Sequence, residues 1–346
     1  MAEKSTLAKG SKQRVAAGGE RAPGPAREAI MTRPQAPHTA TGSALALVAF
    51  GLAACFPAIP KKPIDVRPAP GADLPSLAPC ALVHLTGEED LSNGARGWFR
   101  GPWKIAYASF LIRHPSGVIL VDAAFGDSAG SDIDAAPFYF RWQFGEARAA
   151  KSITALLAEA GVKPEEVKRV LLTHAHWDHT GGLKELPNAR IVMAAADADW
   201  VLAQSGDLVG GAMPHHFDGL AARIDRIVFS GPATDGFDSS QDLLGDGSII
   251  AVPTPGHTRG STSYFVNSSG GERWLFIGDA AWVKEGFEEP ATKGRLAALF
   301  ADWSWALTEE TLGRLHAVYE GRGASLVTAH DARTWTDVPL CAAAVK

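Results

Sequence analysis

LLTHAHWDHTGG, Leu171 to Gly182, is the stretch whose reading decides the fold. His174, His176, Asp178 and His179 fall within six consecutive positions, directly behind the Val- and Leu-rich run VKRVLL. A strand ending at Thr173 puts His174 and His176 on one side, because strand side chains alternate with period two. Asp178 and His179 then occupy the turn, where Gly181 and Gly182 are expected to let the backbone bend towards a following helix. Burying four such side chains without partners costs ~1–3 kcal/mol per group. Metal ligation offsets that cost, since neutral imidazoles suit zinc, iron or copper and a carboxylate adds a hard oxygen.

Outward from this stretch the pattern alternates strands and helices. YASFLIRHPSGVILVD (Tyr107 to Asp122) reads as a hairpin around a Pro-Ser-Gly turn. ARAAKSITALLAEAGVKPEEV reads as an amphipathic helix with Ile153, Leu156, Leu157 and Ala160 on its apolar face, stopped by Gly161. ARIVMAAADADWVLAQ is a strand running into a helix. The Gly-, Asp- and Ser-rich residues 205–247 read as an irregular insertion with one or two short helices. SIIAVPTPGHT, TSYFVNSSGGERWLFIGDAAW and ASLVTAHD return to strand character. Between them WALTEETLGRLHAVYE is helical, with Thr308 expected as N-cap and Glu309 and Glu310 in the first turn. Strands followed by helices, twice over, imply a layered α/β domain.

THAHWDH matches the HxHxDH signature of the metallo-β-lactamase superfamily, and the resemblance continues downstream. TPGHTRGSTSYF supplies His257 after Pro-Gly, LFIGDAAW supplies Asp279, and LVTAHD supplies His330. The four motifs occur in order, and the resemblance covers about Leu82 to Asp331. It implies the four-layer αββα sandwich, with the site at one sheet edge. It implies a first metal on His174, His176 and His257, and a second on Asp178, His179 and His330, with Asp279 bridging. The expected cofactors are two divalent ions, zinc first, with iron, manganese or cobalt as alternatives. Such a pair supplies hydroxide at neutral pH and polarises the carbonyl or phosphoryl under attack. The expected chemistry is therefore bridging-hydroxide attack, with Asp178 passing a proton to the leaving group.

Asp279 argues against the β-lactamase subclass that carries cysteine there. GDAAWVKEGFEEP (Gly278 to Pro290) resembles the N-acyl-homoserine lactone lactonases, which carry an acidic run shortly after the bridging Asp. Those enzymes place a tyrosine three residues after the Asp; this chain has Trp282, whose indole donates a hydrogen bond but cannot ionise. The resemblance implies a small lactone or ester as substrate. β-Lactam, thioester and phosphoester hydrolysis are the alternatives, and a non-hydrolytic redox protein is the remaining class. In the insertion, Met213 and Phe217 are candidates, with Trp282, to line an apolar acyl-chain pocket. His215 and His216 read as solvated loop residues.

The chain of 346 residues is 46% hydrophobic and 21% charged, with a formal charge of −5. Without a basic stripe, nucleic acid is not expected as a partner. Residues 1–30 are polar and Gly/Pro-rich and read as disordered or as lying upstream of a natural start at Met31. Residues 31–54 read as a lipoprotein signal: Arg33, then an apolar run from Ala44 to Ala54, then LAAC ending at Cys55. That run is too short to cross a hydrocarbon core of ~30 Å. Lipidation of Cys55 would anchor the protein to the bacterial envelope, with secreted or cytoplasmic placement as the alternatives. Residues 55–78 read as a Pro-rich tether and 79–346 as the hydrolase domain. Cys80 and Cys341 either clip the ends of that domain together or are two unrelated thiols. Oligomeric state is open.

Overall fold

The computed structural model describes Ile59, residues 73–87, Ala95 and residues 105–341. The segments 1–30 and 31–54 and the lipidation candidate Cys55 lie outside the described residues.

Strand β1 (Cys80–Gly87) pairs antiparallel with β2 (Ile105–His114), and β2 turns through Pro115 and Ser116 into β3 (Gly117–Val121). The expected hairpin forms, with His114 opposite Gly117. Strands β4 (Val167–Leu171), β5 (Arg190–Ala194) and β6 (Ile224–Ile227) follow in parallel, giving a six-stranded sheet in sequence order. The second sheet has five strands, ordered β11-β10-β9-β8-β7. Its members are β7 (Gln241–Asp242), β8 (Ile249–Pro253), β9 (Thr262–Asn267), β10 (Arg273–Gly278) and β11 (Ser325–Thr328).

Alternation along the strands explains the layering. In β2, Ala106, Ala108, Phe110 and Ile112 face the second sheet, where they meet Ile249, Tyr264, Val266, Phe276 and Val327. Leu111 points the other way, into a core shared with Ile153, Leu156 and Leu157 of the helix Ile153–Glu159. Ser152 caps that helix by accepting from Ala155 N, and Gly161 at φ 68° ends it as the sequence implies. The outer face of the second sheet packs Val252, Phe265, Leu275 and Ile277 against Leu312, Leu315 and Val318 of the helix Trp305–Glu320. Helix, sheet, sheet, helix is the expected αββα order.

Three local expectations change. The long helix starts at Ser304, whose hydroxyl accepts from Leu307 N, while Thr308 lies inside and donates to Ser304 O. Glu309 therefore sits in the second turn, accepting from the Trp305 indole at 2.7 Å. The region 205–247 is more ordered than its composition implies, since IDRI forms edge strand β6 and β7 opens the second sheet. The 55–78 stretch already touches the domain before Pro79. Leu77 is buried and donates its N–H to Ser268 Oγ, Pro75 O accepts from Ser269 N, and Ile59 packs in the outer core. A disulfide joins Cys80 to Cys341. No helix among the described residues is long and apolar enough to cross a membrane.

Candidate active site

The C-terminal ends of β3, β4, β8, β10 and β11 open onto one edge of the sandwich, and the chemistry-bearing residues follow those ends. Beyond Leu171 the chain bends at Thr173 and runs irregularly to His176, itself extended at φ −72° and ψ 159°, then enters a single helical turn, Trp177–Thr180, that carries Asp178 and His179. Gly181 and Gly182 are needed for close approach rather than for an unusual turn. Gly181 has an ordinary φ of −54°, but a Cβ there would stand 2.7 Å from Ala124 O, and one on Gly182 2.6 Å from Ala123 O.

Three sets of ligand atoms lie within 4.8 Å of one another: His174, His176 and His257; His174, His179 and Asp279; Asp178, His179 and His330. Asp279 lies between them. Its Oδ1 is 3.2 Å from His179 Nε2 and 3.0 Å from His330 Nε2. Its Oδ2 is 3.4 Å from His257 Nε2 and 4.0 Å from His174 Nε2. Asp178 Oδ2 is 3.6 Å from His179 Nε2 and 3.4 Å from His330 Nε2. The seven residues anticipated from the sequence are thus brought to one place.

The outer nitrogens fix the tautomers. His179 Nδ1 donates to Asp122 Oδ2 at 2.8 Å, and His330 Nδ1 to Ala106 O at 2.8 Å. His257 Nδ1 donates to Asp302 Oδ1 at 2.9 Å. The Thr173 hydroxyl gives its proton to Asp122 Oδ2, so towards His174 Nδ1, 3.1 Å away, it accepts. Each of these four rings turns Nε2 inwards. His174 Nε2, His179 Nε2, His257 Nε2 and Asp279 Oδ1 are buried without a hydrogen-bond partner. Orphaned acceptors converging around a carboxylate fit a bound cation, because leaving each unsatisfied costs ~1–3 kcal/mol.

Electrostatics agree with that fit. Burial and the neighbouring imidazoles hold His174 well below the ordinary histidine range, and burial with His257 does the same for His176. Both rings are neutral and able to ligate. Burial opposes charge on His179, but Asp122, Asp178 and Asp279 raise it well above its ordinary value. Three carboxylates around one imidazole form a negative pocket that a divalent ion would neutralise.

Residues 105–317 match the family model of the metallo-beta-lactamase superfamily. The chain belongs to this superfamily. As a member it is a metal-dependent hydrolase. It is 28% identical to the N-acyl homoserine lactonase AttM of Rhizobium johnstonii, over 68% of this chain and 85% of that one. It is 34% identical to a cytoplasmic hydroxyacylglutathione hydrolase of Arabidopsis thaliana, over 37% of this chain and 40% of that one. Among solved structures it resembles an N-acyl homoserine lactone hydrolase with N-hexanoyl-L-homoserine at its catalytic metal centre. That likeness has a TM-score of 0.59 and 19% identity, covering 77% of this chain and 97% of the other. AidC, a dizinc quorum-quenching lactonase, aligns with a TM-score of 0.54 and 18% identity, over 79% of this chain and 92% of its own.

Several residues around this superfamily site were not singled out in the sequence. Asp122, at the end of β3 with φ 59°, accepts from Thr173 N, Thr173 Oγ1 and His179 Nδ1. Asp302 accepts from His257 and from the buried Lys293 ammonium at 2.9 Å. Burial pushes the Asp302 carboxyl up, but Lys293 and His257 outweigh it and bring it to about 2. Asp197 ties the two halves together, accepting from Ala175 N, Thr258 Oγ1 and Gly260 N. Only Asp122 left a trace, as a carboxylate directly after the apolar run VILV; the others are fixed by tertiary contact.

The pocket candidates are redistributed. Met213 is fully buried beside Tyr107, Phe125 and Trp177, and Phe217 packs in the helix-side core; neither walls the cavity beside His176 and His257. His216 is buried and so is not a solvated loop residue, while His215 stays part-exposed; both turn Nε2 towards the Asp132 carboxylate, at 3.3 and 2.9 Å. Trp282 donates its indole N–H to Asp279 Oδ2 at 2.7 Å, and Lys293 Nζ lies 4.9 Å from its ring centroid. The cavity that does open beside His176 and His257 has a volume of about 210 Å³ and is walled by Trp200, Arg259, Phe300 and Trp303. The Arg259 guanidinium stacks on both indoles, 5.5 Å from the Trp200 centroid and 5.2 Å from that of Trp303. Gly211 passes over His176 at φ 83°, where a Cβ would come within 2.7 Å of Nε2.

Proposed function

We propose that the protein opens small lactones, with N-acyl homoserine lactones as the first substrate class to test. The carrying observation is the set of ligand groups linked through His174 and His179 around Asp279, with the unpartnered Nε2 atoms of His174, His179 and His257 turned inwards. His174, His176 and His257 would hold one ion, Asp178, His179 and His330 the other, and Asp279 would face both. Zinc suits this imidazole and carboxylate set. Two divalent ions bound there supply hydroxide at neutral pH and polarise the carbonyl.

The protein's own groups do the rest. Burial raises the Asp178 carboxyl against the pull of His179 and His330; beside the ligand cluster, this carboxylate would accept a proton and return it to the leaving ring oxygen. Trp282 holds Asp279 Oδ2 instead of reaching for a lactone carbonyl, so carbonyl orientation falls to other groups. Trp200, Phe300 and Trp303 offer an apolar wall for an acyl chain, and Arg259 adds N–H donors for an amide oxygen. The similarity to AttM over 85% of its length supports the lactone class. A thioester is the second reading, supported by the likeness to part of the hydroxyacylglutathione hydrolase.

Residence in an oxidising envelope, through a lipid on Cys55, is part of the same proposal, and the Cys80–Cys341 disulfide supports it. A side-by-side assay of acyl-homoserine lactones, simple δ-lactones, thioesters, nitrocefin and phosphodiesters tests the substrate class. Lactone opening should dominate; faster thioester or β-lactam turnover would replace it. Mass spectrometry of the mature N-terminus tests the anchor, and an unmodified Cys55 would refute it.

A further inference from the structure

Away from the superfamily site, Asp132, His215 and His216 form a second cluster of ligand atoms within 4.8 Å of one another. Asp132 sits on the helix Ala129–Ala135, and the histidines on the turn Pro214–Phe217. His215 Nε2 lies 2.9 Å from Asp132 Oδ1, and His216 Nε2 lies 3.3 Å from Asp132 Oδ2.

The proton count at His216 decides what the cluster can hold. The Thr180 hydroxyl has one proton, and it goes to His176 O at 3.0 Å, because a carbonyl can only accept. Towards His216 Nδ1, 2.8 Å away, Thr180 must therefore accept, which fixes the ring proton on Nδ1. A neutral His216 then points the bare lone pair of Nε2 at a carboxylate oxygen that already accepts from Ser128 Oγ at 2.7 Å. Two acceptors facing each other across 3.3 Å repel unless a cation stands between them. An imidazolium would also relieve the repulsion, but His216 is 3% exposed, and burial disfavours charge on the ring.

We propose that Asp132, His215 and His216 bind a third divalent ion, of the zinc class, separate from the catalytic pair. Two neutral imidazoles and one carboxylate are a ligand set for such an ion, and bonds of ~2.0–2.1 Å in tetrahedral array put neighbouring ligand atoms ~3.3 Å apart. The His216–Asp132 edge, 3.3 Å, falls within the range around Asp279, 3.0 to 3.4 Å for its three nearer histidines, and the His215–Asp132 edge is slightly shorter at 2.9 Å. The His215 side chain is 35% exposed, so an ion and a completing water can enter from solvent. Bound there, the ion would pin the Pro214–Phe217 turn to the Ala129–Ala135 helix. Its role is structural, since none of the three residues reaches the Asp279 centre.

The test is a zinc count. Full-length protein and the His215→Gln variant, stripped by chelation and refilled with zinc alone, are passed through gel filtration and measured by elemental mass spectrometry. His215→Gln alters a part-exposed side chain and should leave the fold, checked by circular dichroism, and lactone turnover unchanged. The proposal expects the variant to hold one zinc fewer than the parent. Equal zinc content in the two proteins overturns it and leaves the cluster as a hydrogen-bonded imidazolium. Cobalt titration of the parent is the second measurement: an absorbance step present in the parent and missing from the variant supports the site, and superimposable titrations reject it.

Discussion

Asp122 gathers three hydrogen bonds on one buried carboxylate, from Thr173 N, Thr173 Oγ1 and His179 Nδ1. Replacing it by Asn puts an amide N–H opposite an imidazole N–H and frees the ring that should ligate. Asp122→Asn is expected to weaken zinc binding ~10–100-fold, the range for loss of a ligand-orienting partner, read by competition with a chromogenic chelator. Glu185 offers a pH test away from the ligands. Burial pushes its carboxyl from 4.5 up to about 7, although it accepts from Asp127 N. The folded state holds the proton more tightly than the unfolded chain, so this group's contribution to stability is full below 4.5 and is lost as pH rises through about 7. Melting temperature against pH should show that decline in the parent and a flatter profile in Glu185→Gln. At this scale the ligands were legible because imidazoles crowded at a strand end fit little besides metal ligation. Asp302, Lys293 and Asp197 were not, because a lone charged residue in sequence does not reveal that it will be buried against a histidine or a loop.

At the level of elements, capping separates reading from structure. Thr308 and Ser304 both precede a helical pattern at plausible spacing, and only the local backbone distinguishes them. Ser304 is extended, at φ −146° and ψ 112°, and its side chain caps; Thr308 is a full turn inside. Ser304→Ala should cost ~1 kcal/mol, measured by urea denaturation, while Thr308→Ala removes no cap and should cost less. The insertion shows a related limit. IDRI lacks a long apolar run, yet it becomes a strand because β5 offers an open parallel edge, with Ile191 to Ala194 opposite Ile224 to Ile227. Tertiary pairing overrides weak local propensity there. Met213 and Phe217 looked suited to an acyl-chain pocket by composition, but the same apolar character drew them into the core.

Across the whole molecule, the alternation of strands and helices was enough to imply layers, and the order of four motifs was enough to imply which layers. The closure of the fold was not legible. Cys80 and Cys341 lie 261 positions apart, and no sequence rule supplies the Cα separation of 4.9 Å that lets them pair. A loop of that length makes the bond worth up to ~5 kcal/mol in the chain-entropy account. Reduction, or Cys341→Ser, should therefore lower the guanidinium midpoint measurably without altering metal content. The sandwich matters to function because its two sheets bring their strand ends to one edge, where Thr262 N donates to Thr173 O and His330 O accepts from Ala106 N. Those backbone bonds hold the ligand-bearing loops of both sheets in register. The most direct measurement is the opening of an N-acyl homoserine lactone, followed by proton release, in metal-stripped protein, zinc-restored protein and zinc-treated Asp279→Ala. The account predicts turnover only in the zinc-restored parent. Turnover by the metal-stripped protein, or none by the fully restored one, would contradict it.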